Sequence, residues 1–274
     1  MEQVMENTIE INGGKLYYET TGEGEPLVLA HAGFVDSGMW DAQWQAFAQH
    51  YRVIRFDMRG FGRSDRATGP VSRREELYQV LTQLGIERVA LVGCSLSGTA
   101  ALDLALEHPE MVSALVLVSA TPSGFELQGE PPRYVIDMIG AMQQGDLERA
   151  SELQIRIWVD GMHREPDEVD AQVRQQASAM NKVAVNNGTA AIADMQPLNP
   201  LDPPAVERLH EVHTPTLILA GALDHPEIHR AADMMAGAIP DAQTLLIPDS
   251  AHVPNMEQPE IFNRAVLDFL SNIA

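Results

Sequence analysis

A chain of 274 residues with 39 acidic and 18 basic side chains, a formal net charge of −21, is repelled by nucleic acid and by anionic membrane surfaces. Hydrophobic residues make up 45% and charged ones 21%, an ordinary balance for a globular chain able to bury a sizeable core. The single cysteine excludes an internal disulfide. The opening MEQVMENTIE lacks the basic and apolar segments of a signal peptide, and no apolar run nears the roughly 20 residues that span a bilayer, so a cytoplasmic protein is expected.

In chain order, residues 8–11 and 15–20 alternate around Asn12-Gly13-Gly14 and are expected to form a hairpin. Residues 27–30 (LVLA) read as a buried strand leading into His31-Ala32-Gly33-Phe34. Residues 40–50 suit a helix in which Trp40, Trp44 and Phe47 share a face. The next strand, residues 51–56 (YRVIRF), ends at Asp57-Met58-Arg59-Gly60-Phe61-Gly62. Ser72-Arg73-Arg74-Glu75 reads as a capping box that opens a helix to Leu84. Residues 89–92 and 114–118 are further apolar strands, with an Ala- and Leu-rich helix between them from Gly98 onward.

The rhythm then breaks. Between residues 121 and 214 the stretches 134–144, 147–159 and 166–185 carry helical patterns, bracketed by Pro131-Pro132 before and Pro197, Pro200 and Pro203-Pro204 after. Strands resume at 216–220 and 244–247, and a helix over 261–270 ends the pattern. The expectation is an α/β fold with a mostly parallel central sheet: a core of residues 1–121 and 214–274, with residues 122–213 inserted as an all-helical cap.

Strand and helix meet at GCSLSG, residues 93–98, with no room for a relaxed loop. A serine at the apex of such a turn projects from the C-terminal edge of a sheet beside the free N–H groups of a helix start. The nucleophile-elbow pattern, Gly-x-Ser-x-Gly, keeps its flanks small so that the turn can close. Taking Ser95 as the apex puts Gly93 and Ser97 at the small positions. Taking Ser97 puts Ser95 and the β-branched Thr99 there, so Ser95 fits better. A serine nucleophile needs a base and a carboxylate to orient that base, in the chain order Ser, Asp or Glu, His at strand ends. Asp224 follows the strand at 216–220, and His252 follows the one at 244–247.

With these residues placed, the chain resembles the α/β-hydrolase superfamily along nearly its whole length outside the cap. The likeness rests on HAGFVDSGMW (31–40), RFDMRGFGRS (55–64), LVGCSLSG (91–98) and the tail LAGALDHPEI…IPDSAHVPNMEQPEIF. It is most similar to small capped enzymes of the 3-oxoadipate enol-lactonase and carboxylesterase type. The resemblance implies Ser95 as nucleophile, Asp224 as orienting acid and His252 as general base. It also implies an oxyanion hole from the N–H of Leu96 and that of Gly33, or of Phe34, since Ala32 stands where the family usually has glycine. The implied activity is cofactor-free hydrolysis of a small carboxylic ester or lactone. Alternatives on the same residues are carbon–carbon bond hydrolysis, perhydrolysis or a slow-turnover ligand sensor. Serine at the elbow disfavours the branches that use aspartate there.

Other residues take plainer readings. His31 is expected to hold the oxyanion loop, Asp57 and Arg59 to brace turns, and Cys94 to pack. Asp249 competes with Asp224 by sequence position. His225 and His229 lack the further ligands a metal would need, so no metal site is expected. Met138, Met142 and Trp158 of the cap are candidates to line a pliable substrate pocket.

Overall fold

The computed structural model describes residues 5–273. Its sheet has eight strands: β1 (Met5–Ile11), β2 (Gly14–Thr21), β3 (Pro26–Ala30), β4 (Arg52–Phe56), β5 (Val89–Cys94), β6 (Val112–Val118), β7 (Thr216–Gly221) and β8 (Gln243–Ile247). They lie in the order β1-β2-β4-β3-β5-β6-β7-β8. From β4 to β8 every pairing is parallel, whereas β2 pairs antiparallel with both β1 and β4. The hairpin outgrows the expected 15–20 at its far end because Thr20 and Thr21 find partners in Ile54 and Val53. Every residue of β5 and of β7 is buried, as near-continuous apolar runs in the middle of a parallel sheet require. β8, at the sheet's edge, instead leaves Gln243 to Leu246 exposed.

The helices are α1 (Asp41–Ala48), α2 (Arg73–Gln83), α3 (Leu96–Glu107), α4 (Val135–Gln144), α5 (Leu147–Ile155), α6 (Ala171–Asn187), α7 (Ala205–Arg208), α8 (Pro226–Ala238), α9 (Pro254–Glu257) and α10 (Pro259–Asn272). Trp40, Trp44 and Phe47 are all buried, as their spacing requires, although Trp40 belongs to a 3₁₀ turn (Ser37–Trp40) that precedes α1. Among the described residues the chain between β6 and β7 holds helices and turns and no strand. No described helix is long and apolar enough to cross a membrane.

Three expectations about the helices change for local reasons. Ser72 caps α2 by accepting the Glu75 N–H, but the Glu75 carboxylate accepts from Gln79 Nε2 one turn on, so the reciprocal half of the capping box is not made. The reciprocal box belongs instead to Glu165 and Glu168, around a 3₁₀ turn (Pro166–Glu168). Val169 is then extended and Asp170 accepts the Gln172 and Val173 N–H groups, so the expected helix 166–185 begins at Ala171. The helix expected over 147–159 leaves α geometry after Ile155 and continues as a π-helical turn (Arg156–Asp160).

β5 passes to α3 across Ser95, whose φ of 52° and ψ of −115° are left-handed backbone that a side-chain-bearing residue adopts only when its surroundings hold it there. The holding is done by close backbone approach. A Cβ on Gly93 would lie 2.6 Å from the Ser97 carbonyl oxygen, and one on Gly98 would lie 2.5 Å from Ala120 Cβ and 2.8 Å from the Gly93 oxygen. Gly98, one position past the motif's second glycine, thus supplies the closeness that the departure at Ser97 put in question. Opposite outcomes are expected from two glycine-to-alanine changes, read by urea denaturation. Gly93→Ala is expected to cost about 1–3 kcal/mol, since backbone must move to admit it. Gly140→Ala, inside α4 with nothing within 4 Å of the new Cβ, is expected to gain about 0.5–1 kcal/mol.

Candidate active site

The turn sets Ser95 at the C-terminal edge of the sheet, and the two strands beyond it deliver the other groups. Asp224 follows β7 and is 4% exposed; His252 follows β8 and is 2% exposed. His252 Nδ1 lies 3.0 Å from both carboxylate oxygens of Asp224, and Nε2 lies 2.9 Å from Ser95 Oγ. A carboxylate only accepts, so the imidazole proton sits on Nδ1 and Nε2 is left to accept the Ser95 hydroxyl proton. Asp224 also accepts the His225 N–H at 2.7 Å. Asp249, the competing acid, is exposed, while the hydrogen bonds of His252 Nδ1 go to Asp224.

The N–H groups of Gly33, Phe34 and Leu96 have no acceptor among the described hydrogen bonds. Leu96 opens α3, where the first N–H groups lack intrahelical partners and the helix dipole adds positive potential. Gly33 lies directly against Leu96: a Cβ there would come within 2.9 Å of Leu96 Cδ2 and 3.1 Å of its Cβ. The loop carrying Gly33 and Phe34 is tied down from below and above. His31 Nε2 accepts the Met58 N–H, which puts its proton on Nδ1, donated to the Ala32 carbonyl. Complete burial lowers His31 to about 4 against the opposing pull of Asp57, so it stays neutral and structural. The Ser97 hydroxyl donates to the His31 carbonyl at 2.6 Å. From above, Asn181 of α6 donates from Nδ2 to the Phe34 carbonyl and to Gln154 Oε1, and accepts from Ser151.

The remaining candidates have settled partners. Asp57 accepts the Ser37 and Arg63 N–H groups, and Arg59 pairs with Glu76 and donates to the Ile11 carbonyl. Cys94 is buried with its thiol toward the His252 carbonyl, and burial pushes its pKa up. His225 caps α8 by accepting the Glu227 N–H, and His229 bonds the Gly221 carbonyl. Met138, Met142 and Trp158 line a cavity of about 220 Å³ together with Gly33 and Phe34. Trp158 also packs on His252, with ring centroids 4.7 Å apart.

Sequence reasoning did not single out Asn181, Glu257 or Arg164. Glu257 lay inside the quoted tail, where it accepts the Ala251 N–H next to His252. A polar residue on the buried side of a helical pattern was the signal for Asn181, which is 0% exposed.

A family model described as the alpha/beta hydrolase fold matches residues 25–259. A pimeloyl-[acyl-carrier protein] methyl ester esterase of Yersinia enterocolitica is 29% identical over 262 residues, 93% of this chain and 97% of that one. A solved hydrolase from Pseudomonas aeruginosa shares 26% identity at a TM-score of 0.78, covering 97% of this chain and 98% of that one. A solved N-acyl homoserine lactone degrading enzyme shares 28% identity at a TM-score of 0.76, covering 96% of this chain and all of the other (100%). The chain belongs to the α/β-hydrolase fold family. It is a hydrolase.

One acid that follows the Gly33–Phe34 loop makes a test of the local electrostatics. Burial, reinforced by Asp57, raises Asp36 to about 6, so its folded-state value lies above its ordinary 3.8. The ionised form therefore costs stability above about pH 6, and the cost fades as pH falls from there toward 3.8. Asp36→Asn keeps an oxygen to accept the Gly38 N–H. It is expected to raise urea stability at pH 8 and to lose that advantage by about pH 4.

Proposed function

We propose that this chain is a serine hydrolase of small, uncharged carboxylic esters, lactones included, working through an acyl-enzyme on Ser95, His252 and Asp224. The single observation that carries this reading is the unbroken hydrogen-bond chain from Asp224 through His252 to Ser95 Oγ. In the reaction His252 Nε2 takes the hydroxyl proton as Ser95 Oγ attacks the carbonyl carbon. The negative charge then developing on the carbonyl oxygen is met by the N–H of Leu96 and that of Gly33 or Phe34. Asp224 holds the imidazole in the accepting tautomer and stabilises the imidazolium. The alcohol leaves with the proton from His252, and a water deprotonated by the same nitrogen releases the acid and restores the serine.

The cavity beside Phe34 supports an uncharged substrate. Its lining is largely apolar, with Gln154, Thr189 and Trp158 as the residues whose side chains carry hydrogen-bonding groups and no ionisable side chain. Residues 122–213 act in this reading as a cap that supplies the cavity roof through Met138, Met142 and Trp158. The likeness to a pimeloyl-[acyl-carrier protein] methyl ester esterase and to an N-acyl homoserine lactone degrading enzyme supports the ester class.

A panel of p-nitrophenyl esters and small lactones tests the proposal. The wild type is expected to give a nitrophenolate burst stoichiometric with enzyme wherever deacylation is the slower step. Ser95→Ala and His252→Ala are each expected to lower kcat by roughly 10⁴-fold or more. Turnover that survives Ser95→Ala, or a panel left uncleaved by the wild type, contradicts it.

A further inference from the structure

The helical segment between β6 and β7 touches the loop that carries His252 through one buried ion pair. Arg164 Nη2 lies 2.7 Å from Glu257 Oε2, with the Glu257 side chain 5% and the Arg164 side chain 12% exposed. The other carboxylate oxygen, Oε1, accepts the Ala251 N–H at 2.7 Å, one residue before His252. The rest of the guanidinium is spent on carbonyls at both sides of the junction. It donates to Val159 and Asp160 at the end of the π-helical turn, and to Asp249 in the histidine loop. Next to it the His252 N–H donates to the Trp158 carbonyl, and Gly161 passes so close that a Cβ there would lie 3.0 Å from Ala251 Cβ and 3.1 Å from the Leu223 carbonyl oxygen.

We propose that the Arg164–Glu257 pair is a positioning device for His252, through which the seated cap segment holds the base in line between Asp224 and Ser95. The proposal rests on the role given to His252 above. Its physical basis is that both backbone neighbours of the imidazole are fixed from this junction: the Ala251 amide by Glu257, and the His252 amide by Trp158. Burial raises Glu257 to about 7 against the pull of Arg164, with Asp224 adding like charge, so the carboxylate depends on its partner to stay ionised. An imidazole displaced by about 1 Å loses in-line proton transfer, which is worth up to 10²-fold in rate.

The test compares Arg164→Lys, Arg164→Met and Glu257→Gln with wild type for kcat and KM on p-nitrophenyl esters, for labelling rate with an ethyl fluorophosphonate, and for thermal midpoint. Glutamine keeps an acceptor for the Ala251 amide but loses the charge. Lysine keeps the charge but not the fork onto the carbonyls. Arg164→Met is expected to lower kcat about 10- to 100-fold with KM within about 3-fold, and to slow labelling in proportion. Arg164→Lys and Glu257→Gln are expected to fall between it and the wild type, all measured well below each variant's thermal midpoint. Variants that lose thermal stability yet keep kcat and labelling rate overturn the proposal and leave the pair a brace. A wild type that labels but cleaves no ester contradicts the ester reading alone, since labelling still reports the position of His252.

Discussion

The architecture depends on one strained residue. Ser95 is held at φ 52° by a turn that closes because Gly93 and Gly98 let backbone meet backbone, a conformation costing of order 1–3 kcal/mol unless its surroundings impose it. Two hydrogen bonds complete the imposition. The Ser95 N–H donates to the Val118 carbonyl at 2.8 Å, and the Ser95 carbonyl accepts the Thr99 N–H at 3.0 Å. The strain is what turns the hydroxyl away from the strand and toward His252, with the unpaired N–H of Leu96 beside it. A relaxed loop at the same place would supply neither.

The polar groups that brace that turn are buried and hydrogen-bonded to backbone or to one another, which offsets the cost of burying them. His31 is kept neutral and braces the loop that carries Gly33 and Phe34, Ser97 fastens that side to α3, and Asn181 fastens the Phe34 carbonyl from above. The same helical segment reaches His252 through Arg164, Glu257 and the Trp158 ring.

The central strands were legible because a parallel sheet buried on both faces demands unbroken apolar runs, such as LVLA and VALV. Ser95, Asp224 and His252 were legible because the fold fixes both their order and their place at strand ends. Ser97 was weighed as the apex and then read as a small flank, whereas its hydroxyl has a partner of its own in the His31 carbonyl. The break at Val169 was hidden because helical spacing continues through it, and an aspartate at 170 decides the start of α6 only once its side chain is seen to turn back. Arg164 was invisible for a different reason: its partner lies far along the chain, and no local pattern marks a contact between a helical insertion and a histidine loop.

The most direct test of the account is fluorophosphonate labelling of wild type, Ser95→Ala and Ser97→Ala, with the modified peptide located by mass spectrometry. The account predicts rapid labelling of the wild type on Ser95, none of Ser95→Ala, and labelling retained in Ser97→Ala, whose lost hydroxyl served only the His31 carbonyl and Met58. Labelling that persists in Ser95→Ala or vanishes only in Ser97→Ala would contradict it, as would a wild type that does not label.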